Sequence, residues 1–150
     1  MEAQVAERTM IRAKPEQLFA IITDFEEYPR WSADIKAVQV LERDDQGRGT
    51  KVAFRAAAFG RSTSLTLVYD YHGAPERLSW FQESGDLTRF YDGSYSFETS
   101  GDDCGEEEET EVVYHLNVEL KVPLPGFVKR RAEGRLGIRV LRELKARAER

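Results

Sequence analysis

At 150 residues with a formal net charge of −5, the chain is long enough for one domain, residues 1–150, that buries roughly 70% of the surface its unfolded form exposes. The acidic balance argues against a general nucleic-acid binder. No run of about 18 apolar residues occurs, and the first residues lack the basic start and apolar block of a secretory signal, so a cytoplasmic protein without stable membrane insertion is expected.

In chain order, Val5 to Arg12 is rich in Val, Thr and Ile and reads as a first strand, ending where Pro15 can take the first turn of a helix. Leu18, Phe19 and Ile22 share one face of that helix. Asp24 is placed to cap a second short helix, Phe25 to Trp31, in which Tyr28 and Trp31 lie three apart and Pro29 enforces shortness or irregularity. Ile35 to Arg43 resumes strand character with Val38 and Val40 on one side, and the Asp44 to Gly49 cluster is a turn. A meander follows: Lys51 to Phe59, Ser62 to His72, Glu76 to Glu83 and Leu87 to Glu98, with tight connections between them.

The last strand carries the cleanest pattern. Val112, Tyr114, Leu116, Val118, Leu120 and Val122 alternate with mostly polar neighbours, which predicts an antiparallel sheet with one buried face. The same parity groups Val52, Phe54, Ala56 and Ala58, and groups Leu65, Leu67, Tyr69 and Tyr71. It also groups Arg89, Tyr91, Gly93, Tyr95 and Phe97, with Gly93 a candidate bulge that would shift everything beyond it. Pro123 to Gly126 ends the strand and opens a long helix. On it Phe127, Gly134, Gly137, Ile138, Leu141, Leu144 and Ala148 form an apolar stripe, and Arg131, Arg135, Arg139 and Arg142 form another well round the cylinder.

Charge is unevenly spread. Glu98 to Glu111 holds eight acids and no base, and Thr99 to Thr110 within it reads as a solvated hairpin loop that includes the single cysteine, Cys104. Lys129 to Arg150 holds nine bases and three acids. Its arginine stripe reads first as a solvated face; the alternatives are a peripheral contact with an acidic membrane surface or an acidic protein partner, the chain's own glutamate loop included.

Two features bear on function. Gly134 and Gly137 stand in the buried stripe of the last helix, where each costs about 1 kcal/mol relative to Ala; they leave room either for a bulky sheet residue or for a ligand. Tyrosines 69, 71, 91, 95 and 114 all have the buried parity, and five buried phenols are easier to satisfy around water or an oxygen-bearing ligand than in a dry core. Arg89, on that parity, would want an anionic partner. His72 and His115 fall on polar parities without ligand-like spacing to Cys or carboxylate, so no metal is expected. No phosphate loop, nucleophile elbow or catalytic cysteine context implies a cofactor or a defined catalytic centre.

The run Ala13, Pro15, Leu18, Phe19, then Asp24, Phe25, Tyr28, Pro29, Trp31, then Ile35, Val38 and Val40 resembles the START-like superfamily, in particular its bacterial polyketide cyclase/dehydrase (SRPBCC, Bet v 1-like) group. Asp92 to Phe97 and Leu120 to Gly126 fit as well, so the resemblance covers essentially the whole chain. It implies an α+β helix-grip fold: a seven-stranded antiparallel sheet curved around the long C-terminal helix, two short helices after the first strand, and a ligand cavity between sheet and helix. Carried over by position, the cavity wall comprises Trp31, Phe54, Leu67, Tyr69, Trp80, Tyr91, Tyr95, Tyr114 and Leu116, with Phe127, Gly134, Gly137 and Leu141 from the helix. The implied function is binding, sequestration or transport of a hydrophobic small molecule such as a lipid, isoprenoid, quinone or aromatic polyketide. One alternative is an aromatase/cyclase or dehydratase using Tyr91, Tyr95 and Arg89 without metal. Another is an interaction module working through the basic helix.

Overall fold

The computed structural model describes residues 2–58, 61–99, 109–121 and 138–149. Seven strands form one antiparallel sheet: β1 (Glu2–Ile11), β2 (Ile35–Arg43), β3 (Gly49–Ala58), β4 (Arg61–Asp70), β5 (Arg77–Gly85), β6 (Thr88–Thr99) and β7 (Thr110–Leu120). Helix α1 (Pro15–Thr23), a 3₁₀ turn (Phe25–Glu27) and the single-turn α2 (Tyr28–Trp31) lie between β1 and β2. Residues 138–148 form helix α3. The sheet order is β1-β7-β6-β5-β4-β3-β2, so every neighbour is a consecutive strand except that β7 returns to pair with β1.

Alternation decides which face is inside. On β7, Thr110, Val112, Tyr114, Leu116, Val118 and Leu120 are all buried, and their register carries Val5, Leu116 and Gly93 into one row and Tyr114 and Tyr95 into the next. On β3 and β4 the paired residues Val52 and Leu67, and Phe54 and Leu65, face the same way.

Pro15 takes the first turn of α1, where its missing N–H costs nothing, and the backbone N–H of Lys14 donates to Gln17 Oε1 at 2.9 Å. Leu18 and Ile22 are fully buried beneath α1. The expected second helix is two pieces, because Pro29 follows the 3₁₀ turn at the start of α2. Asp24 precedes that turn, but its side chain makes no cap; its carbonyl accepts from the Glu27 N–H at 3.1 Å.

The bulge anticipated at Gly93 is elsewhere. Thr88 pairs with Leu120 and Phe90 with Glu119, so the extra residue is Arg89, and from Tyr91 to Thr99 the register with β7 runs without interruption. Arg89 is consequently exposed and does not share the parity of the tyrosines.

Helix α3 lies against the sheet through Leu141 and Leu144, both in the core. Polar contacts fasten it along its described length. Glu149 accepts from the Arg12 N–H at 3.0 Å, Glu143 accepts from the Ala33 N–H at 2.8 Å, and Arg139 approaches Asp34 at 3.4 Å. Arg139 therefore belongs to an intramolecular contact, whereas Arg142 is exposed. The expectations placed on Cys104, Phe127, Arg131, Gly134, Arg135 and Gly137 lie outside the described residues.

Candidate functional site on the concave face

A continuous band of rings crosses the inward face of the sheet. It starts at α2, where Trp31 packs edge-on to Tyr28 with ring centroids 5.0 Å apart, and Tyr28 meets Phe54 of β3 at 5.9 Å. Phe25 joins the two halves: it lies 5.7 Å from Tyr28, 6.3 Å from Phe54 and 4.6 Å from Tyr69 of β4. The band continues through Trp80 of β5, 5.9 Å from Tyr69, to Tyr95 of β6 and Tyr114 of β7, at 5.5 and 6.0 Å. Tyr95 and Tyr114 are 5.2 Å apart. All these separations fall in the range where tilted and edge-to-face rings attract.

Of the residues expected at the cavity wall, Phe54, Leu67, Tyr69, Trp80, Tyr95, Tyr114, Leu116 and Leu141 are buried in one hydrophobic cluster, with Trp31 and Tyr91 partly buried against it. Three central residues were not anticipated as site members. Tyr28 and Phe25 lie three apart, so they share a helical face, and that spacing was the available signal. Gly93 is the third. A Cβ there would sit 2.4 Å from the His115 carbonyl oxygen and 2.6 Å from Trp80 Cζ2, so the bare backbone of β6 is a slot into which the indole sinks. Trp80 and Gly93 are register partners, which is what aligns ring and slot.

The polar atoms of this band are unevenly satisfied. Tyr28 donates to the Ile22 carbonyl, and Tyr71, at the rim beneath the Arg48 guanidinium, donates to the Gly49 carbonyl at 2.6 Å. The Tyr91 and Tyr114 hydroxyls are hydrogen-bonded to each other. Trp80 Nε1 is the one sealed side-chain donor without an acceptor among the described residues. Burial raises the pKa of Tyr28, Tyr69, Tyr91, Tyr95 and Tyr114, and lifts that of Tyr71 to about 12. At neutral pH these groups are therefore uncharged O–H donors.

The histidines are apart from this face: His72 is exposed and bonded to Asp70 at 2.7 Å, and His115 is exposed on β7. Among the described residues no group of three His, Cys, Asp or Glu side chains is placed to hold a metal ion. An open depression of about 670 Å³ crosses β2 to β5, but it is lined largely by the opposite register, with Ala53, Arg55, Ser64 and Thr66 outward of Phe54 and Leu65. Asp86 at its edge is already committed to the Thr63 hydroxyl at 2.5 Å and the Ser64 N–H at 3.1 Å, bonds that hold its carboxyl below the usual carboxylate range. Among the described residues, no helix is long and apolar enough to cross a membrane.

The same architecture is found in solved structures. A START superfamily protein from Mycobacterium smegmatis is 25% identical, with 97% of each chain covered and a TM-score of 0.85. An aromatase/cyclase from a Streptomyces species, 15% identical, matches over 100% of this chain and 95% of its own with a TM-score of 0.81. Major latex-like protein 151 from Panax ginseng, 13% identical, matches over 98% and 97% with a TM-score of 0.65. No curated protein matches the chain in sequence. The family model for polyketide cyclase/dehydrase and lipid transport matches residues 11–145, from the end of β1 into α3. A seven-stranded antiparallel sheet with an aromatic inner face, matched along nearly its whole length, thus makes this chain a member of the START-like polyketide cyclase/dehydrase and lipid transport family, with its hydrophobic ligand-binding fold.

Proposed function

We propose that the chain is a single binding domain that sequesters or carries a hydrophobic small molecule on the concave face of the sheet, beneath the C-terminal helix. The observation that carries this reading is the aromatic band from Trp31 to Tyr114, in which large rings are gathered on one face while the sealed Trp80 Nε1 has no acceptor among the described residues. A dry core offers no reason to leave a buried donor unmet; a ligand does. Removal of apolar ligand surface from water supplies the driving force, about 25 cal/mol per Å², and the few polar groups fix orientation.

The wall proposed is Trp31, Phe54, Leu67, Tyr69, Trp80, Tyr91, Tyr95, Tyr114, Leu116 and Leu141, to which Phe25 and Tyr28 are added. A cyclase built on Tyr91, Tyr95 and Arg89 is disfavoured, because Arg89 is the bulge residue and is exposed, away from the rings. Titration with Nile red, a neutral polarity-sensitive dye, tests the binding reading. Saturable emission excited through the tryptophans is expected, abolished or weakened at least about tenfold when Tyr114→Ala opens the wall; absence of saturable binding in the folded protein contradicts it.

A further inference from the structure

Charge divides this chain into two unequal parts. The last 22 residues, Lys129 to Arg150, hold nine bases and three acids, whereas the 128 residues before them hold 13 bases and 24 acids. A molecule so divided is oriented by an anionic surface far more strongly than its net charge of −5 indicates.

The way α3 disposes its charges sharpens the division. Both of its described acids are committed to the body of the protein: Glu143 accepts from the Ala33 N–H at 2.8 Å and Glu149 from the Arg12 N–H at 3.0 Å. Arg139 reaches Asp34 at 3.4 Å. Arg142 and Lys145 are exposed and form no ion pair among the described residues. The acids thus fasten the helix, and these two cations are left to the outside.

Helical spacing puts them on one face. Ile138, Arg142, Lys145 and Glu149 recur at i, i+4, i+7 and i+11 and are all exposed, while Leu141 and Leu144 are turned to the core. With Glu149 held on Arg12, that face presents two cations beside Ile138, which is 45% exposed. A lipid–water interface takes both features at once: anionic headgroups pair with the cations, and the acyl boundary removes the aliphatic side chain from water. A soluble polyanion matches the charge alone.

We infer that the outer face of α3, through Arg142, Lys145 and Ile138, docks the protein on an anionic lipid bilayer. The inference goes beyond the binding reading above, because it assigns the outside of the helix whose inner face covers the site.

Co-sedimentation of the full chain with vesicles tests it, using phosphatidylcholine alone and phosphatidylcholine with about 30% phosphatidylglycerol, at about 0.1 M salt. Binding to the anionic vesicles is expected to be at least about tenfold tighter than to the neutral ones. The double reversal Arg142→Glu/Lys145→Glu should weaken it at least about tenfold, and the neutral pair Arg142→Gln/Lys145→Gln by less. Ile138→Ser should weaken vesicle binding about threefold and leave binding to polyglutamate unchanged. Urea midpoints and Nile red titrations of these variants in solution should match the parent, which separates loss of docking from loss of fold or of ligand binding. Absence of vesicle binding, equal binding to neutral vesicles, or anionic binding indifferent to the double reversal would each overturn the inference and leave the binding reading untouched. Polyglutamate bound as tightly as the vesicles, with Ile138→Ser silent toward both, would overturn the bilayer in favour of an acidic protein.

Discussion

The two ends of the concave face are built from different chemistry. Where β1 runs into α1, Ile11, Leu18, Ile22, Val112 and Leu144 are sealed at 0% exposure. The one buried hydroxyl among them, Thr110, is matched by the Ala13 carbonyl at 2.7 Å. Toward β4 to β6 the aliphatics give way to Tyr69, Trp80 and Tyr95, still buried, with the Trp80 Nε1 donor left unmatched among the described residues. The first end satisfies every rule of a core and needs nothing else. The second satisfies burial but not hydrogen bonding, and such a local departure is what recognition leaves in an otherwise consistent fold.

The comparison breaks most directly through the aliphatic end. Leu144→Ala leaves a cavity under α3 at a fully sealed position and should cost about 2–5 kcal/mol in urea unfolding, with ligand affinity in the surviving folded fraction close to that of the parent. A loss of affinity larger than the loss of stability would mean that the two ends are not separate.

Gly93→Ala probes the seam between them. Its Cβ would meet the His115 carbonyl oxygen at 2.4 Å, a backbone atom that cannot give way without moving β7, and Trp80 Cζ2 at 2.6 Å. The expected cost is about 1–3 kcal/mol, accompanied by a red shift in tryptophan emission as the indole is lifted from its slot. An unchanged spectrum would contradict the slot.

Alkaline pH sharpens the comparison on the aromatic side. The buried tyrosines have folded pKa values raised by desolvation above the unfolded value of about 10. The folded state thus holds its phenol protons after the unfolded state has released them, and stability is constant below pH ~10 and falls above it. Urea midpoints between pH 8 and 11 should be flat to near 10 and then decline, with tyrosinate absorbance appearing only as the protein unfolds. Normal titration of all six tyrosines in the folded protein would contradict their burial.

The smallest effect is expected at the strap between α3 and the turn before β2. Glu143 accepts from the Ala33 N–H at an exposed position, so Glu143→Ala should cost no more than about 1 kcal/mol. If the strap borders the ligand's path, the same variant speeds dissociation of Nile red in stopped-flow measurements; an unchanged rate removes that role.

Much of this was legible in the chain. The period-two run of β7 fixed its inner face without any knowledge of partners, and Pro15 and Pro29 marked the helix start and the irregular second helix. What escaped depended on pairing between strands. Nothing local distinguishes Arg89 from Gly93 as the bulge, since the choice is made by the register of β6 on β7. Trp80 and Gly93 are thirteen positions apart in the chain, and only the antiparallel pairing of β5 with β6 turns them into ring and slot. A glycine making room for a bulky sheet residue was anticipated on the last helix; the described example is on β6. Phe25 was readable from its spacing to Tyr28, but its role as the bridge to Tyr69 comes from the fold of the 3₁₀ turn over the sheet.

The most direct measurement of the central claim is native mass spectrometry of the full chain purified from its own cells, followed by solvent extraction of whatever it carries. The account predicts one hydrophobic molecule per chain, displaced by Nile red and absent from Tyr114→Ala. A protein that emerges empty, and that also shows no saturable uptake of Nile red while folded, would contradict it.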